Sequence, residues 1–399
     1  MLSGMRPTGK LHLGNYHGAL RNWVDLQDGY ECYFFVADWH ALTTDYDNTA
    51  SLQQHVHAMV VDWLAAGLDP ERSAIFLQSD VVAHAELHLL LSMITPLSWL
   101  ERVPTYKDQQ AQLKEKDLAT YGFLGYPLLQ SADILIYRPA WIPVGEDQVA
   151  HVEITREIAR HFNHIYGRDE QFAKKVKAAL SKFGPAREQY AVLRRRFQEG
   201  GDHAALTEAR TLVVEAAGLP AAERDLLLAN LEGEVHRLLP EPAALLTPSP
   251  KVPGLDGRKM SKSYGNTIGM TEDPASIEKK IRGMTTDPAR KLRTDPGDPD
   301  KCPVWELHKL YSSDATRAWV REGCTTAGIG CIDCKKPLWE KVGQQAAEMR
   351  ERAAPYANNP GRVREILVAG GEKAARTAEQ TMQVVRKAMN LLPPGVQSP

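Results

Sequence analysis

With 399 residues, of which 43% are hydrophobic and 25% charged, the chain is long enough for two or three domains and has the composition of an ordinary globular protein. A formal net charge of -2 excludes nucleic-acid binding by overall attraction, so any such contact needs a local basic face. No apolar run approaches membrane-spanning length and the N-terminus lacks a signal-peptide layout, so a cytoplasmic protein with no membrane partner is expected.

The opening residues 2–9 read as a short strand running into a Gly/Pro turn. Tyr16, Leu20, Trp23 and Val24 recur at helical spacing, so the turn feeds a helix N-terminus, where unpaired N–H groups and the helix dipole favour phosphate. Gly9 and Gly14 allow close backbone approach to a nucleotide. Residues 31–37 are almost all apolar and predict a strand buried on both faces of a parallel sheet. Asp38, Trp39 and His40 follow at its carboxyl end, where ligands bind in doubly wound folds. An amphipathic helix over 51–67, a strand over 73–78 and a helix over 84–100 continue the alternation of a Rossmann-like α/β sheet. Val103 to Lys107 reads as a loop, with Lys107 a candidate for reaching phosphate.

Tyr126 to Tyr137 begins as a helical turn and sets one carboxylate, Asp133, among apolar side chains. A buried carboxylate is costly unless paired, which makes a ligand N–H a candidate partner and a helix-capping role the alternative. Gly145 then precedes Glu146, Asp147 and Gln148, a set suited to ribose hydroxyls and amino groups. His151, Glu153 and Glu157 read as a solvated helix face rather than a metal set. The 168–237 stretch is rich in Ala, Leu, Arg and Glu, is punctuated by Gly and Pro, and predicts three or four helices. Its 12 basic and 11 acidic residues nearly cancel, and Arg194, Arg195 and Arg196 read as an exposed face rather than a nucleic-acid contact.

Between Gly257 and Gly265, two lysines and two serines fall within five residues. Pro250, Pro253 and Gly254 precede them, so a mobile loop is predicted that folds over a polyphosphate. Lys259 and Lys262 suit the charge that builds on a leaving pyrophosphate. A capped helix is predicted to follow from Thr271, then a loop over 284–303. Helices fill the remainder to the stop at Pro393, and a disordered tail follows. Cys302, Cys324, Cys331 and Cys334 are spaced C-x21-C-x6-C-x2-C. Four thiolates suit tetrahedral zinc or an iron–sulfur cluster, and spacing does not separate these from each other or from unliganded thiols.

Lys259-Met260-Ser261-Lys262-Ser263 matches the KMSKS signature of class I aminoacyl-tRNA synthetases. Pro7 to Asn15 resembles the family's HIGH segment, with Asn15 in place of the last histidine, as in its tryptophanyl branch. The resemblance implies a Rossmann-like parallel-sheet catalytic domain over 1–167 that resumes at 238–270 with the KMSKS loop. It also implies a helical insertion over 168–237 and a C-terminal α-helical anticodon-binding domain over 271–399. It implies that His12, Asn15, Lys259 and Lys262 are catalytic. Arg6, Pro7, Thr8, Gly14, Asn15, Gly145, Glu146, Asp147, Val252, Lys259, Met260, Ser261, Lys262 and Ser263 would bind ATP, carried with Mg2+. His40, Tyr126, Gln130, Asp133 and Gln148 would bind L-tryptophan, with Asp133 accepting the indole N–H.

The family further implies tRNA(Trp) as partner, transfer to its 3′-terminal ribose, and a homodimer. Cys302-Pro303-Val304-Trp305 and Gly323-Cys324-Thr325-Thr326-Ala327 resemble the surroundings of a 4Fe-4S cluster in a bacterial subset, with zinc the alternative. Lys335 and Lys336, beside it, are expected at anticodon-loop phosphates. Arg6 and Gln130 depart from the glutamine and methionine of many bacterial relatives, though the iron–sulfur subset shares them. The rival readings are a tyrosyl-type synthetase and a non-catalytic RNA-binding paralogue.

Overall fold

A computed structural model describes residues 1–391 except 105, 107–118, 146–147, 168–169, 217, 233–237 and 247–249. Strands β1 (Leu2–Met5), β2 (Cys32–Val36) and β3 (Ser73–Leu77) form a parallel sheet in the order β1-β2-β3. Strands β4 (Trp141–Val144) and β5 (Ala243–Leu246) form a second parallel pair. β4 runs beside β1, so the lateral order is 3-2-1-4-5, a doubly wound arrangement that reverses between β1 and β4.

The apolar run at 32–36 forms a central strand because both faces need apolar side chains. Tyr33 and Phe35 join one core with Phe76, Leu135 and Phe162, while Cys32, Phe34 and Val36 join the other with Met59 and Trp63. Helix Leu52–Ala66 covers the second face and buries nine of its residues, so it is far less two-sided than an amphipathic pattern suggests. Helices Ala83–Ser92 and Tyr126–Ile136 cover the first.

The C-terminal helix Pro360–Ala388 packs along β3. Val363 and Leu367 enter one core, while Ala374, Ala378, Met382 and Val385 enter the other, so the helix wraps the outer edge of the sheet. The 271–399 stretch is therefore not self-contained: its last helix belongs to the core of the sheet. A third core joins Leu13, Val252, Met260 and Ile268 to helices Pro274–Gly283, Pro303–Tyr311 and Cys331–Ala357. The insertion is built of four helices, Glu170–Lys182, Ala186–Gly200, His203–Val214 and Ala221–Glu232, around a core of their own. There Arg194 donates to Asn230 O at 3.1 Å and Arg196 pairs with Asp202 at 2.7 Å. Among the described residues, no helix is long and apolar enough to cross a membrane.

Candidate active site

The cavity at the reversal between β1 and β4 has a volume of about 450 Å3. Arg6, His40, Tyr126, Gln130, Asp133, Gly145 and Gln148 all line it, so all five residues predicted for the amino-acid pocket come together there with Arg6 and Gly145, from four separate stretches. The cavity is where a doubly wound sheet leaves a crevice at its strand ends. Lys107, Glu146 and Asp147 lie outside the described residues.

Asp133 is 1% exposed on helix Tyr126–Ile136, and its carboxylate is held by protein donors. His40 Nε2–H donates to Oδ2 at 2.9 Å, His84 Nδ1–H to Oδ1 at 2.6 Å, and Gln78 Nε2 to both oxygens at 2.8 and 2.9 Å. Tyr137 Oη–H donates to His84 Nε2 at 2.7 Å, which fixes that ring with its proton on Nδ1. Burial pushes the Asp133 pKa up, but His84 and His40 more than offset it, holding the group well below the usual carboxylate range. The carboxylate is therefore ionised and accepts only. Helix capping is not its role, since it sits in the helix body.

Gln78 and His84 were not predicted for the site. Gln78 follows the carboxyl end of β3, a position that marks ligand sites in such sheets. His84 carries no local signal. His151 is also a cavity residue, 3% exposed, and not part of a solvated helix face.

The second part of the site is the turn after β1. His12 precedes the short helix Leu13–Asn15, and its backbone N–H donates to Asn15 Oδ1 at 3.1 Å. From there the chain passes through a π-helical turn, Tyr16–Leu20, into helix Arg21–Leu26, in place of one regular helix. A Cβ on Gly14 would lie 2.9 Å from the His12 ring, and Gly9 takes φ +86°, so both positions need glycine. Burial, then Lys262 and Lys259, lower the His12 pKa to about 4, so the ring is neutral at pH 7. Its Nδ1 is buried with no partner among the described residues. Arg6 lines the cavity, yet its guanidinium donates to Thr44 and, at 3.2 Å, to Asp45.

The lysine segment reaches this turn. Lys262 Nζ donates to Thr8 O at 2.8 Å, to Thr8 Oγ1 at 3.1 Å and to Gly9 O at 3.1 Å. The Thr8 hydroxyl is thus occupied by Lys262, while Pro7 is buried. Lys259 and Ser263 are exposed. The segment is not a free loop as predicted. Met260 is 3% exposed and its N–H donates to Val252 O at 3.0 Å, which places Val252 beneath the loop. Ser261 N–H donates to Asn266 Oδ1 at 2.8 Å, and the Ser261 and Ser263 hydroxyls meet at 2.8 Å. Beyond it the chain pairs with the N-terminal turn, Leu13 N–H donating to Ile268 O at 3.0 Å and Met270 N–H to Leu11 O at 3.2 Å.

Asp62, which carried no sequence signal, ties the two segments from behind. Leu11 N–H donates to its Oδ2 at 2.6 Å and Thr271 Oγ1 lies 3.4 Å from Oδ1. Burial raises its pKa from 3.8 to about 6, against the pull of these bonds and of Lys10. A carboxyl that binds its proton more tightly when folded adds stability at low pH that is lost as pH rises through the folded value. Wild-type stability relative to Asp62→Asn should therefore fall by about 2–3 kcal/mol between pH 4 and pH 7 in urea unfolding. A difference that stays flat across that range would show that burial does not govern this group.

The four cysteines line one small cavity with Asp287, Arg290 and Lys335. Among the described residues, however, no group of three or more His, Cys, Asp or Glu side chains is arranged to hold a metal ion. Burial raises the Cys302, Cys324 and Cys334 thiols, Cys334 to about 12, and the sulfurs raise one another. The expectation for Lys335 is corrected: it is 3% exposed, and Nζ donates to Arg282 O at 2.9 Å and Met284 O at 2.6 Å. Its ammonium holds carbonyls at the end of helix Pro274–Gly283 and does not face RNA. Lys336 is exposed.

A doubly wound sheet with a phosphate-type turn and a returning lysine segment defines a class I synthetase. The profile "tRNA synthetases class I (W and Y)" matches residues 1–185 and 224–342, breaking off inside the four-helix insertion. The chain is 57% identical over 392 residues to a tryptophan–tRNA ligase of Ralstonia nicotianae, covering 98% of each, and 45% identical to one of Thermotoga maritima, covering 98% and 99%. It is also similar to the crystal structure of tryptophanyl-tRNA synthetase from Campylobacter jejuni complexed with ADP and tryptophan. That match has 29% identity, a TM-score of 0.72 and coverage of 98% of this chain and 99% of the other. The chain belongs to the tryptophanyl-tRNA synthetase family of class I, and its activity is that of a tryptophan–tRNA ligase.

Proposed function

We propose that tryptophan occupies the cavity between β1 and β4 and that ATP lies over the turn 7–15, with Lys259 and Lys262 closing on its phosphates. Asp133 accepts the indole N–H in place of one of the two contacts shared by the Gln78 amide, since His40, Gln78 and His84 otherwise fill both carboxylate oxygens. Tyr126, Gln130 and Gln148 then hold the amino-acid head group beside the nucleotide. The tryptophan carboxylate attacks the α-phosphate in line and pyrophosphate leaves with Mg2+. No protein nucleophile takes part, so positioning and charge stabilisation carry the rate. Neutral His12 donates a ring N–H, Asn15 lends its amide, and the lysines take up the charge of the departing phosphates. The 3′-terminal ribose 2′-hydroxyl of tRNA(Trp) then attacks the adenylate.

The observation that carries this reading is the Lys262 ammonium seated on the Thr8 and Gly9 carbonyls, which joins two signatures 254 residues apart. ATP–pyrophosphate exchange tests it. Exchange should depend on tryptophan and not on phenylalanine, which brings no donor to an acceptor that is already ionised, while tyrosine, whose hydroxyl can donate from a smaller ring, tests the fit of the pocket to an indole. Exchange supported equally by tyrosine would overturn the pocket assignment.

We assign the four-cysteine cavity to a 4Fe-4S cluster held by Cys302, Cys324, Cys331 and Cys334, with a structural role. Cys302, Cys324 and Cys334, raised by burial and by the neighbouring sulfurs, need a cation to become thiolates. A Cβ on Gly297 would lie 2.7 Å from Cys324 Sγ, so the chain there makes room only for sulfur. The flanking Cys302-Pro303-Val304-Trp305 and Gly323-Cys324-Thr325-Thr326-Ala327 segments favour a cluster over zinc. A brown protein whose broad visible absorption is lost on iron chelation supports the cluster; a colourless zinc protein refutes it. A cytoplasmic location, residues 271–399 as the tRNA anticodon-binding part and a homodimer complete the proposal. The exposed apolar residues Val82, Leu89, Met93 and Leu97 along one helix and its flanks support the dimer.

A further inference from the structure

Two helices begin at the four-cysteine cavity and converge on one buried hydroxyl. Helix Pro303–Tyr311 is capped by Cys302, and helix Cys331–Ala357 carries Cys331 and Cys334 in its first turn. Tyr311 ends the first helix. Gln345 lies on the second, roughly 16 Å along the axis from Cys334 at the rise of an α-helix. Tyr311 Oη–H donates to Gln345 Oε1 at 2.9 Å. A hydroxyl has one proton, so the 2.8 Å contact to His17 is donated by His17 Nε2–H. The His17 and Tyr311 rings also meet edge to face, with centroids 5.0 Å apart.

His17 is 5% exposed and sits in the π-helical turn Tyr16–Leu20, two residues beyond Asn15. Such turns are rare and persist where outside contacts hold them. Burial keeps His17 neutral, with its pKa lowered to about 4, and keeps Tyr311 protonated, so the direction of the chain of bonds is fixed at neutral pH. One turn before Tyr311, His308 Nε2 lies 3.4 Å from Cys334 Sγ.

We propose that Tyr311 is a positioning residue for adenylate formation, holding through His17 the turn that carries His12 and Asn15, and tying the order of that turn to the filling of the four-cysteine site. The inference rests on the ATP-binding reading of residues 7–15. Both helices start at the cysteines and both meet His17 through Tyr311, so a displacement of their cysteine-bearing starts reaches the turn.

The test uses the full chain as purified, in wild-type form and as Tyr311→Phe and Gln345→Met. Hydrogen–deuterium exchange over residues 13–20 reads the turn itself, and pyrophosphate exchange kinetics separate ATP from tryptophan. Phe keeps the ring packing and loses both hydrogen bonds of the hydroxyl, the one given to Gln345 and the one received from His17. Amide exchange over 13–20 and the KM for ATP should therefore each rise about tenfold, with the KM for tryptophan within about twofold of wild type. Gln345→Met should shift both in the same direction by a smaller factor, and it decides the matter if Tyr311→Phe does not fold. Iron chelation should speed exchange over 13–20 in wild type, with no further gain in Tyr311→Phe. Unchanged amide exchange and ATP KM in the variants overturn the positioning role. No response of wild type to chelation, or an equal response in both proteins, overturns the coupling. Absence of tryptophan-dependent pyrophosphate exchange in wild type would instead refute the ATP reading, while amide exchange would still decide the Tyr311 contact.

Discussion

Asp133→Asn is expected to lower kcat/KM for tryptophan in pyrophosphate exchange by about a thousandfold, with the KM for ATP nearly unchanged. The carboxylate accepts from His40, Gln78 and His84 at 2.6–2.9 Å, and of these groups only the Gln78 amide could turn round to offer an acceptor. An asparagine amide would point two N–H bonds into this ring of donors. Breaking a buried charged network in this way costs about 3–5 kcal/mol, so a drop in unfolding stability of similar size should accompany the kinetic loss. In the proposed pocket the two effects have one cause: the site is an acceptor built for donors, and the indole N–H would be the donor supplied by the substrate ring. A variant with normal tryptophan kcat/KM and raised ATP KM would place the indole elsewhere.

The second large effect is expected at Lys262. Its ammonium rests on Thr8 O, Thr8 Oγ1 and Gly9 O, and burial lowers its pKa while Asp62 opposes that shift. To reach a departing pyrophosphate it must exchange these oxygens for phosphate oxygens. The gain comes where negative charge grows, not where ATP first binds. Lys262→Ala should therefore lower kcat of exchange by about a hundredfold to a thousandfold and change the KM for ATP by much less. Loss confined to KM would mean that the lysine serves ground-state binding alone. Stopped-flow measurement of adenylate formation separates the two outcomes.

The order of these expectations follows from where each group sits. Asp133 is enclosed, so its partners cannot be replaced by water, whereas Lys262 keeps solvent on one side and loses only what the transition state adds.

Local pattern was enough for much of this molecule. The all-apolar run at 32–36 could only be a strand covered on both faces. The Gly/Pro turn at 7–9, the two lysines at 259 and 262 and the lone carboxylate at 133 each announced a chemistry, because residue type and spacing within one segment set what that segment can bind. The four helices of the insertion were likewise legible from composition and punctuation.

What stayed hidden depends on partners far apart in the chain. Asp62 acts on Leu11 and Thr271, Gln78 and His84 act on Asp133, and the last helix closes the edge of β3. None of these pairings leaves a trace in local periodicity. Lys335 shows the same limit in reverse: a lysine beside another lysine reads as a basic face, and only packing reveals that one of them is buried on two carbonyls. The amino-acid order by itself determined which groups were available for ATP, tryptophan and the four-thiol site. The tertiary structure decided which of them are desolvated and which face each other, and therefore which charges stand and which protons are held, since burial and distance are properties of the folded chain alone.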